Sequence, residues 1–361
     1  MEYSDSIKSE FKWNSYLLQS SLDPLFSDQL TIFIREFERE WETHFSNVPY
    51  KLCQLESGNR LRPIISFLGY LISESEEDLT SYDINIIVKV GICIELIHKS
   101  SLIIDDMVDD DSLRNGKTTF HVANGQEKAI AVTSHLISKS FKLLMEVLSE
   151  TNISEKTSLK CIEISFNILE DMSTGLLKEL SMDKVDFSNL KVAEEIIRNE
   201  AASIIKNSLL IGYILRRGDN PLMINYLNEI GESCGYIFQV MNDIEPYKRG
   251  GQYKNHKGKD ELEFFFNRKN IITTFMLQLM SPREKNDFYF IESKVEAQTT
   301  LFEFFNKNHV YDHFLAEIEE IKKNISDIIV AISKEGINSR WCQNCENFIS
   351  SLTAIARDRI S

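Results

Sequence analysis

The chain has 361 residues, 43% of them apolar, and 55 acids against 40 bases leave a net charge of −15. That balance argues against nucleic acid as a partner, because binding a phosphate backbone needs clustered Lys and Arg. No run approaches the roughly 18 apolar residues of a membrane span, and residues 1–11 carry charges without a leader-like apolar core, so a cytoplasmic protein is expected.

Apolar residues recur at spacings of three and four in Phe33-Phe37-Trp41, Ile196-Ile197-Ile204-Ile205 and Phe314-Ile318-Ile321-Ile325, the period of helices with one buried face. Convincing alternating segments are absent, and only 6 Pro and 14 Gly punctuate the chain. The fold class is therefore all-α, read as a single domain over residues 1–361 with long helices and short turns. Turns are predicted at residues 73–81, 115–125, 181–188 and 247–260. Cys53, Cys93, Cys161 and Cys234 sit in apolar surroundings and read as buried thiols. Cys342 and Cys345 form a C-x-x-C without a second pair, which is weak ground for zinc or redox chemistry.

Residues 95–121 hold the most informative pattern, Glu-Leu-Ile-His-Lys-Ser-Ser-Leu-Ile-Ile-Asp-Asp-Met-Val-Asp-Asp-Asp-Ser-Leu-Arg-Asn-Gly-Lys-Thr-Thr-Phe-His. At about 100° per residue Asp105 and Asp109 share a helical face with Asp106 beside them, so three carboxylates converge within a turn. Such crowding is unfavourable on a bare helix. A hard divalent cation reverses the sign, and Mg²⁺ is commonly held by one or two carboxylates plus substrate phosphate oxygens. A solvated acidic helix end would not explain the company of His98, the run Leu102-Ile103-Ile104, and Arg114.

This segment resembles the first aspartate-rich motif of the trans-isoprenyl diphosphate synthases (polyprenyl synthetases), nearest the geranylgeranyl diphosphate synthase type. Gly58-Asn59-Arg60-Leu61-Arg62-Pro63 upstream and the stretch from Gly235 to Pro246 downstream fall at the expected separations, so the resemblance covers roughly residues 50–275. It implies a helical bundle around a central cavity, a homodimer, and two acidic motifs facing each other across the cavity mouth. It further implies Mg²⁺ held by Asp105, Asp106 and Asp109 on one side and by Asn242 and Asp243 on the other. The substrate so implied is an allylic prenyl diphosphate, with isopentenyl diphosphate as acceptor, bound by Arg60, His98, Arg114, Gln239, Lys259 and Lys269. Residues 280–361 are expected as a helical extension that either packs on the bundle or covers the cavity.

Several positions depart from the family pattern. Asn59 and Asn115 stand where the family places cations for isopentenyl diphosphate. A charge-assisted contact contributes roughly 1.5–3 kcal/mol, so two losses weaken acceptor binding on the order of 10²- to 10⁴-fold. The second motif reads Asn242-Asp243-Ile244-Glu245-Pro246, its first acid an amide and its last missing, and Pro246 is expected to end the helix at Glu245. The family's Lys-Thr pair falls at Glu200-Ala201, and its Gln at Leu176. Ser100 and Ser101 precede Asp105 by five and four residues, where the family uses large aromatics to stop chain growth, so a deep cavity is expected. Elongation with isopentenyl diphosphate, a terpene synthase on the same scaffold and transfer to a non-standard acceptor all remain open. A catalytically weak partner subunit is disfavoured by the intact first motif.

Overall fold

The structure, a computed structural model, describes residues 24–45, 60–72, 79–114, 117–150, 152–181, 189–217, 220–248, 270–291, 294–337 and 341–350. Its centre is α3 (Ser81–Val108), a helix buried along most of its length, which follows α1 (Pro24–Phe45) and α2 (Leu61–Tyr70). Thr80 starts α3 with a capping box, its side chain accepting from the Asp83 N–H while Asp83 accepts from Thr80. From Ile84 to Ser100 nearly every residue of α3 is buried, because α1, α2 and α5 (Gln126–Leu148) enclose it. The helix ends in a paired turn: the Asp111 N–H bonds the Asp106 carbonyl and the Asp110 N–H bonds that of Met107. Asp110 closes this turn at φ 53°, a place more often held by Gly.

Beyond the turn, β1 (Leu113–Arg114) pairs antiparallel with β2 (Lys117–Thr118), Arg114 opposite Lys117. The turn predicted at residues 115–125 is corrected in part: Phe120–Asn124 forms a helical turn, α4, directly before α5. Its Phe120 is buried, and that burial outweighs the weak helix signal of so short a segment. α6 (Glu155–Ser181) precedes α7 (Leu190–Ile197), which continues through one π turn, Arg198–Ala202, into α8 (Ser203–Arg217). The extra residue of that turn keeps Ile196-Ile197 and Ile204-Ile205 all in the core. α2 and α8 touch backbone to backbone, and a methyl on Gly212 would lie 2.0 Å from the Ser66 carbonyl oxygen, so only Gly fits there.

α9 (Pro221–Lys248) opens on Asn220, whose side chain accepts from the N–H groups of Leu222 and Met223. The expected stop at Glu245 is overturned, since α9 runs on through Pro246 to Lys248. A mid-helix Pro costs about 3 kcal/mol, but Tyr247 beyond it is buried, stacks on Phe305 at 4.9 Å and shares a 2.5 Å hydrogen bond with Thr273. Those tertiary contacts hold the last turn helical.

After α10 (Ile271–Leu279) and α11 (Pro282–Tyr289) come α12 (Lys294–Lys307), α13 (Val310–Lys334) and a helix over 341–350. The C-terminal part packs on the bundle. α13 lies along α9, where Tyr236 donates to Glu317 at 2.8 Å, and the Trp341 indole donates to the Leu68 carbonyl of α2 at 3.0 Å. One connected hydrophobic core runs from Leu30 to Ile349. Cys93, Cys161, Cys234, Cys342 and Cys345 are buried free thiols, and burial pushes Cys161 and Cys234 up to about 12. Cys53 lies outside the described residues. Among the described residues, no helix is long and apolar enough to cross a membrane.

A polar latch ties three helix ends together. The Tyr70 hydroxyl donates to Asp83 at 2.7 Å, Arg216 pairs with the same carboxylate oxygen, and the Arg216 guanidinium lies 5.2 Å from the Tyr70 ring centroid. Burial opposes ionisation of Asp83. Hydrogen bonds from Thr80 and Tyr70, with the charge of Arg216, outweigh it and hold the carboxyl down at about 2. A depressed carboxyl stabilises the fold above its unfolded pKa, near 3.9, and loses that contribution as pH falls towards about 2. Asp83→Asn should therefore lower the urea midpoint at pH 7 by an amount equivalent to about 2 kcal/mol. The gap to the parent should narrow when both are titrated from pH 5 to pH 3, and a gap independent of pH would contradict this account.

Candidate active site

The first acidic motif sits where α3 ends. Asp105 and Asp106 lie in its last turn, and Asp109 is its C-cap residue. The short β1 strand brings Arg114 back onto them: Nη2 lies 2.7 Å from Asp105 Oδ2 and 2.6 Å from Asp106 Oδ1, while Nε donates to the latter at 2.7 Å. Asp106 is 1% exposed and Arg114 mostly covered, so this is a largely desolvated, charge-assisted contact.

One to three turns back along α3 lies a second set of buried charges. Glu95 and Lys99 pair across a turn at 3.5 Å, both almost fully enclosed. Arg60, the N-cap of α2 at φ 50°, directs its guanidinium onto α1 and α3. It bonds Glu38 at 2.9 Å and Glu95 at 3.2 Å and lies 4.4 Å from the Trp41 ring centroid. Burial pushes Lys99 down to about 8 against the pull of Glu95.

Arg62, two residues along α2, is placed differently. Its guanidinium lies 5.6 Å from the ring centroid of Phe238 on α9, and its buried Nε has no hydrogen-bond partner among the described residues. Glu38 and Glu95 together face Arg60, Lys99 and Arg62, so this cluster carries one positive charge more than its carboxylates balance. His98 lies in the same field. Burial, then the charges of Arg62, Lys99, Arg114 and Arg60, press its pKa well below the ordinary value, so the imidazole is neutral at pH 7.

The second motif is tied to its neighbours. Gln239 donates to Asp243 Oδ1 at 2.8 Å, Oδ2 accepts the Ile271 N–H at 3.0 Å, and Asn270 donates to the Asp243 carbonyl at 3.1 Å while capping α10. Asp243 is thereby a buried anion at a helix N-terminus, with Asn242 half-buried beside it. Lys259 and Lys269 lie outside the described residues, as do Asn59 and Asn115. The π turn holding Glu200 and Ala201 meets α6 at Gly175, where a methyl would sit 2.5 Å from Glu200 Cγ. Gly175 is thus in contact with Asn199 and Glu200. Ser100 and Ser101 turn their hydroxyls onto the Ile97 and His98 carbonyls.

The structure thus brings Asp105, Asp106 and Arg114 together, joins Gln239 to Asp243, and commits Arg60 to Glu38 and Glu95. Arg62 is the residue that sequence reasoning passed over. Its signal was position: it stands two residues after Arg60 in Gly58-Asn59-Arg60-Leu61-Arg62-Pro63, a charged residue inside an otherwise apolar helix start. Among the described residues, no group of three or more acids, His or Cys is gathered closely enough to enclose a metal unaided. Asp105 and Asp106 do converge on a single positive centre, which suits a hard cation whose other ligands are phosphate oxygens.

The sequence model described as polyprenyl synthetase matches residues 44–299. The geranylgeranyl diphosphate synthase of Saccharolobus solfataricus is 30% identical over 191 residues, 52% of this chain and 53% of that protein. The farnesyl diphosphate synthase of Bacillus subtilis is 29% identical over 237 residues, 60% of this chain and 76% of the relative. The chain spans about half the length of several curated relatives it matches, including two archaeal geranylgeranyl diphosphate synthases. Among solved structures, a geranylgeranyl pyrophosphate synthase superposes with a TM-score of 0.73 at 17% identity, covering 92% of this chain and 99% of its own. A Caulobacter crescentus polyprenyl synthase complexed with calcium and isoprenyl diphosphate gives 0.72 at 18%, covering 94% and 97%. At such identities the likeness is one of fold.

The placement of Arg60 yields a direct test. Arg60→Ala removes the charge-assisted hydrogen bonds to Glu38 and Glu95 and leaves Glu95 with Lys99, so it should destabilise the protein by about 1.5–3 kcal/mol, read as a lowered denaturation midpoint. A change under about 1 kcal/mol, the worth of an exposed ion pair, would show that the cluster is solvated.

Proposed function

Because the chain belongs to the polyprenyl synthetase family, we propose that it is a Mg²⁺-dependent prenyltransferase. It ionises an allylic prenyl diphosphate and joins the chain to isopentenyl diphosphate. The observation that carries the proposal is the convergence of Asp105 and Asp106 on one cationic point at the end of a buried helix. Breaking the allylic carbon–oxygen bond leaves a delocalised carbocation and a multiply charged pyrophosphate, so groups that stabilise the developing anion lower the barrier. Asp105 and Asp106 would hold Mg²⁺, aided by Asp109 and, across the mouth, Asn242 and Asp243; the ion supplies Lewis-acid stabilisation of the leaving group. Arg114 adds fixed positive charge beside it, and Lys259 and Lys269 complete the allylic diphosphate site.

On the acceptor side, Arg62 replaces Arg60 as the cation we assign to the second diphosphate. Its excess charge next to neutral His98 gives an anion both a counter-charge and a donor. That retained cation favours elongation over a terpene synthase. Acceptor affinity stays weakened by Asn59 and Asn115 and by the acid at position 200. Ser100 and Ser101, both small and with their hydroxyls bonded back to α3, leave room for a long prenyl chain.

The homodimer has its support in an apolar stripe across two helices. Ile130 and Met145 on α5 and Leu159, Phe166, Leu177 and Leu180 on α6 are all exposed, and Phe141 stacks on Phe166 at 4.5 Å to bridge them. A stripe of that extent is the pattern of a self-complementary interface.

Two measurements test these readings. Product analysis with Mg²⁺ and geranyl, farnesyl or geranylgeranyl diphosphate should give a longer prenyl diphosphate only when isopentenyl diphosphate is present. Asp105→Ala should abolish the reaction, and Arg62→Gln should raise the isopentenyl diphosphate KM by about tenfold or more. Pyrophosphate release with a hydrocarbon product in the absence of acceptor would instead establish a terpene synthase. In analytical ultracentrifugation the parent should sediment as a dimer and Phe166→Asp as a folded monomer; a monomeric parent would remove the dimer.

A further inference from the structure

We infer that Arg114 is a built-in counter-ion of the first acidic motif, which occupies the metal-binding point of Asp105 and Asp106 and makes divalent-cation binding conditional on a diphosphate. This rests on the reading of those two acids as Mg²⁺ ligands. The Arg114 Nη2 reaches both carboxylates, at 2.7 Å and 2.6 Å, and Nε approaches the same Asp106 oxygen at 2.7 Å. A cation bound by either oxygen must displace the guanidinium from the place where they converge.

Desolvation makes this an exchange of one positive charge for another. Asp106 is 1% exposed, so water compensates it poorly, and withdrawing Arg114 without a replacement would remove a two-point counter-charge from a buried carboxylate. Mg²⁺ arriving by itself therefore competes with a two-point, charge-assisted contact. A diphosphate changes the balance by offering Arg114 a planar, bidentate anion of its own. Arg114 would then turn to the phosphate oxygens while Asp105 and Asp106 would hold the metal, so that both carboxylates keep a counter-charge. Arg114 is carried by a two-residue strand beyond the end of α3, so it can be redirected while the helix that holds the acids stays in place.

Coordination chemistry points to the same order. A hard cation held by Asp105 and Asp106 keeps coordination positions for water or for phosphate oxygens, and a diphosphate fills them with charged ligands. Metal and diphosphate are then thermodynamically coupled, each strengthening the other by the same factor. Chelation supplies part of that factor, and Arg114 supplies the rest by holding down the affinity for metal alone.

The experiment is a calorimetric titration of Mg²⁺ into the full chain, with and without saturating inorganic pyrophosphate, for the parent, R114Q and R114K. Metal alone should bind R114Q about tenfold or more tightly than the parent, with a smaller enhancement by pyrophosphate. R114K keeps the charge but not the planar fork. It should shift metal-only affinity in the same direction, and it decides the matter if R114Q does not fold. Metal-only affinity that is unchanged or weaker in the folded variants, with pyrophosphate-dependent binding intact in the parent, overturns the role of Arg114 alone. Failure of the parent to bind Mg²⁺ even with pyrophosphate overturns the metal reading and this inference together.

Discussion

The need to neutralise charges buried along α3 organises this molecule. A helix enclosed on nearly every side carries Glu95, Lys99 and Asp106 in its interior, and each would be costly there without a partner. The surrounding elements deliver those partners. α1 contributes Glu38, the start of α2 contributes Arg60 and Arg62, and the strand after α3 contributes Arg114. Enclosure also strengthens each of these contacts, because few waters compete with them.

Compensation of this kind sorts residues that look alike in sequence. Arg60 and Arg62 stand two apart on the same helix, yet one is enclosed by two aromatic rings and two carboxylates while the other faces α9 and His98. The first is a structural cation. The second is the cation we assign to a phosphate. His98 follows from the same balance, since an imidazole among cations stays neutral and acts as a hydrogen-bonding group.

The C-terminal half fixes the second motif in place. Asp243 accepts the first free N–H of α10, and Tyr247 locks the end of α9 to the same helix through Thr273. α13 and the 341–350 helix then hold α9 and α2 from outside. The degenerate second motif thus has a clear structural function, anchoring α10 to α9 at the level of Gln239 and Asp243.

The residues themselves determined the helical class, the acidic motif, the buried thiols and the family, because these depend on local period and on a contiguous 27-residue pattern read without knowledge of neighbours. Three things needed the tertiary structure. The stop expected at Pro246 follows from the missing N–H of proline, but burial of Tyr247 outweighs that local loss. The turn expected over 115–125 gives way to a helical turn because Phe120 reaches the core. Which arginine faces the site depends on a backbone turn at Arg60, with φ 50°, and on carboxylates 22 and 35 residues away, and no local pattern encodes distances of that kind. Side-chain chemistry is written in the order of residues, whereas charge compensation is decided only when distant segments share a desolvated space.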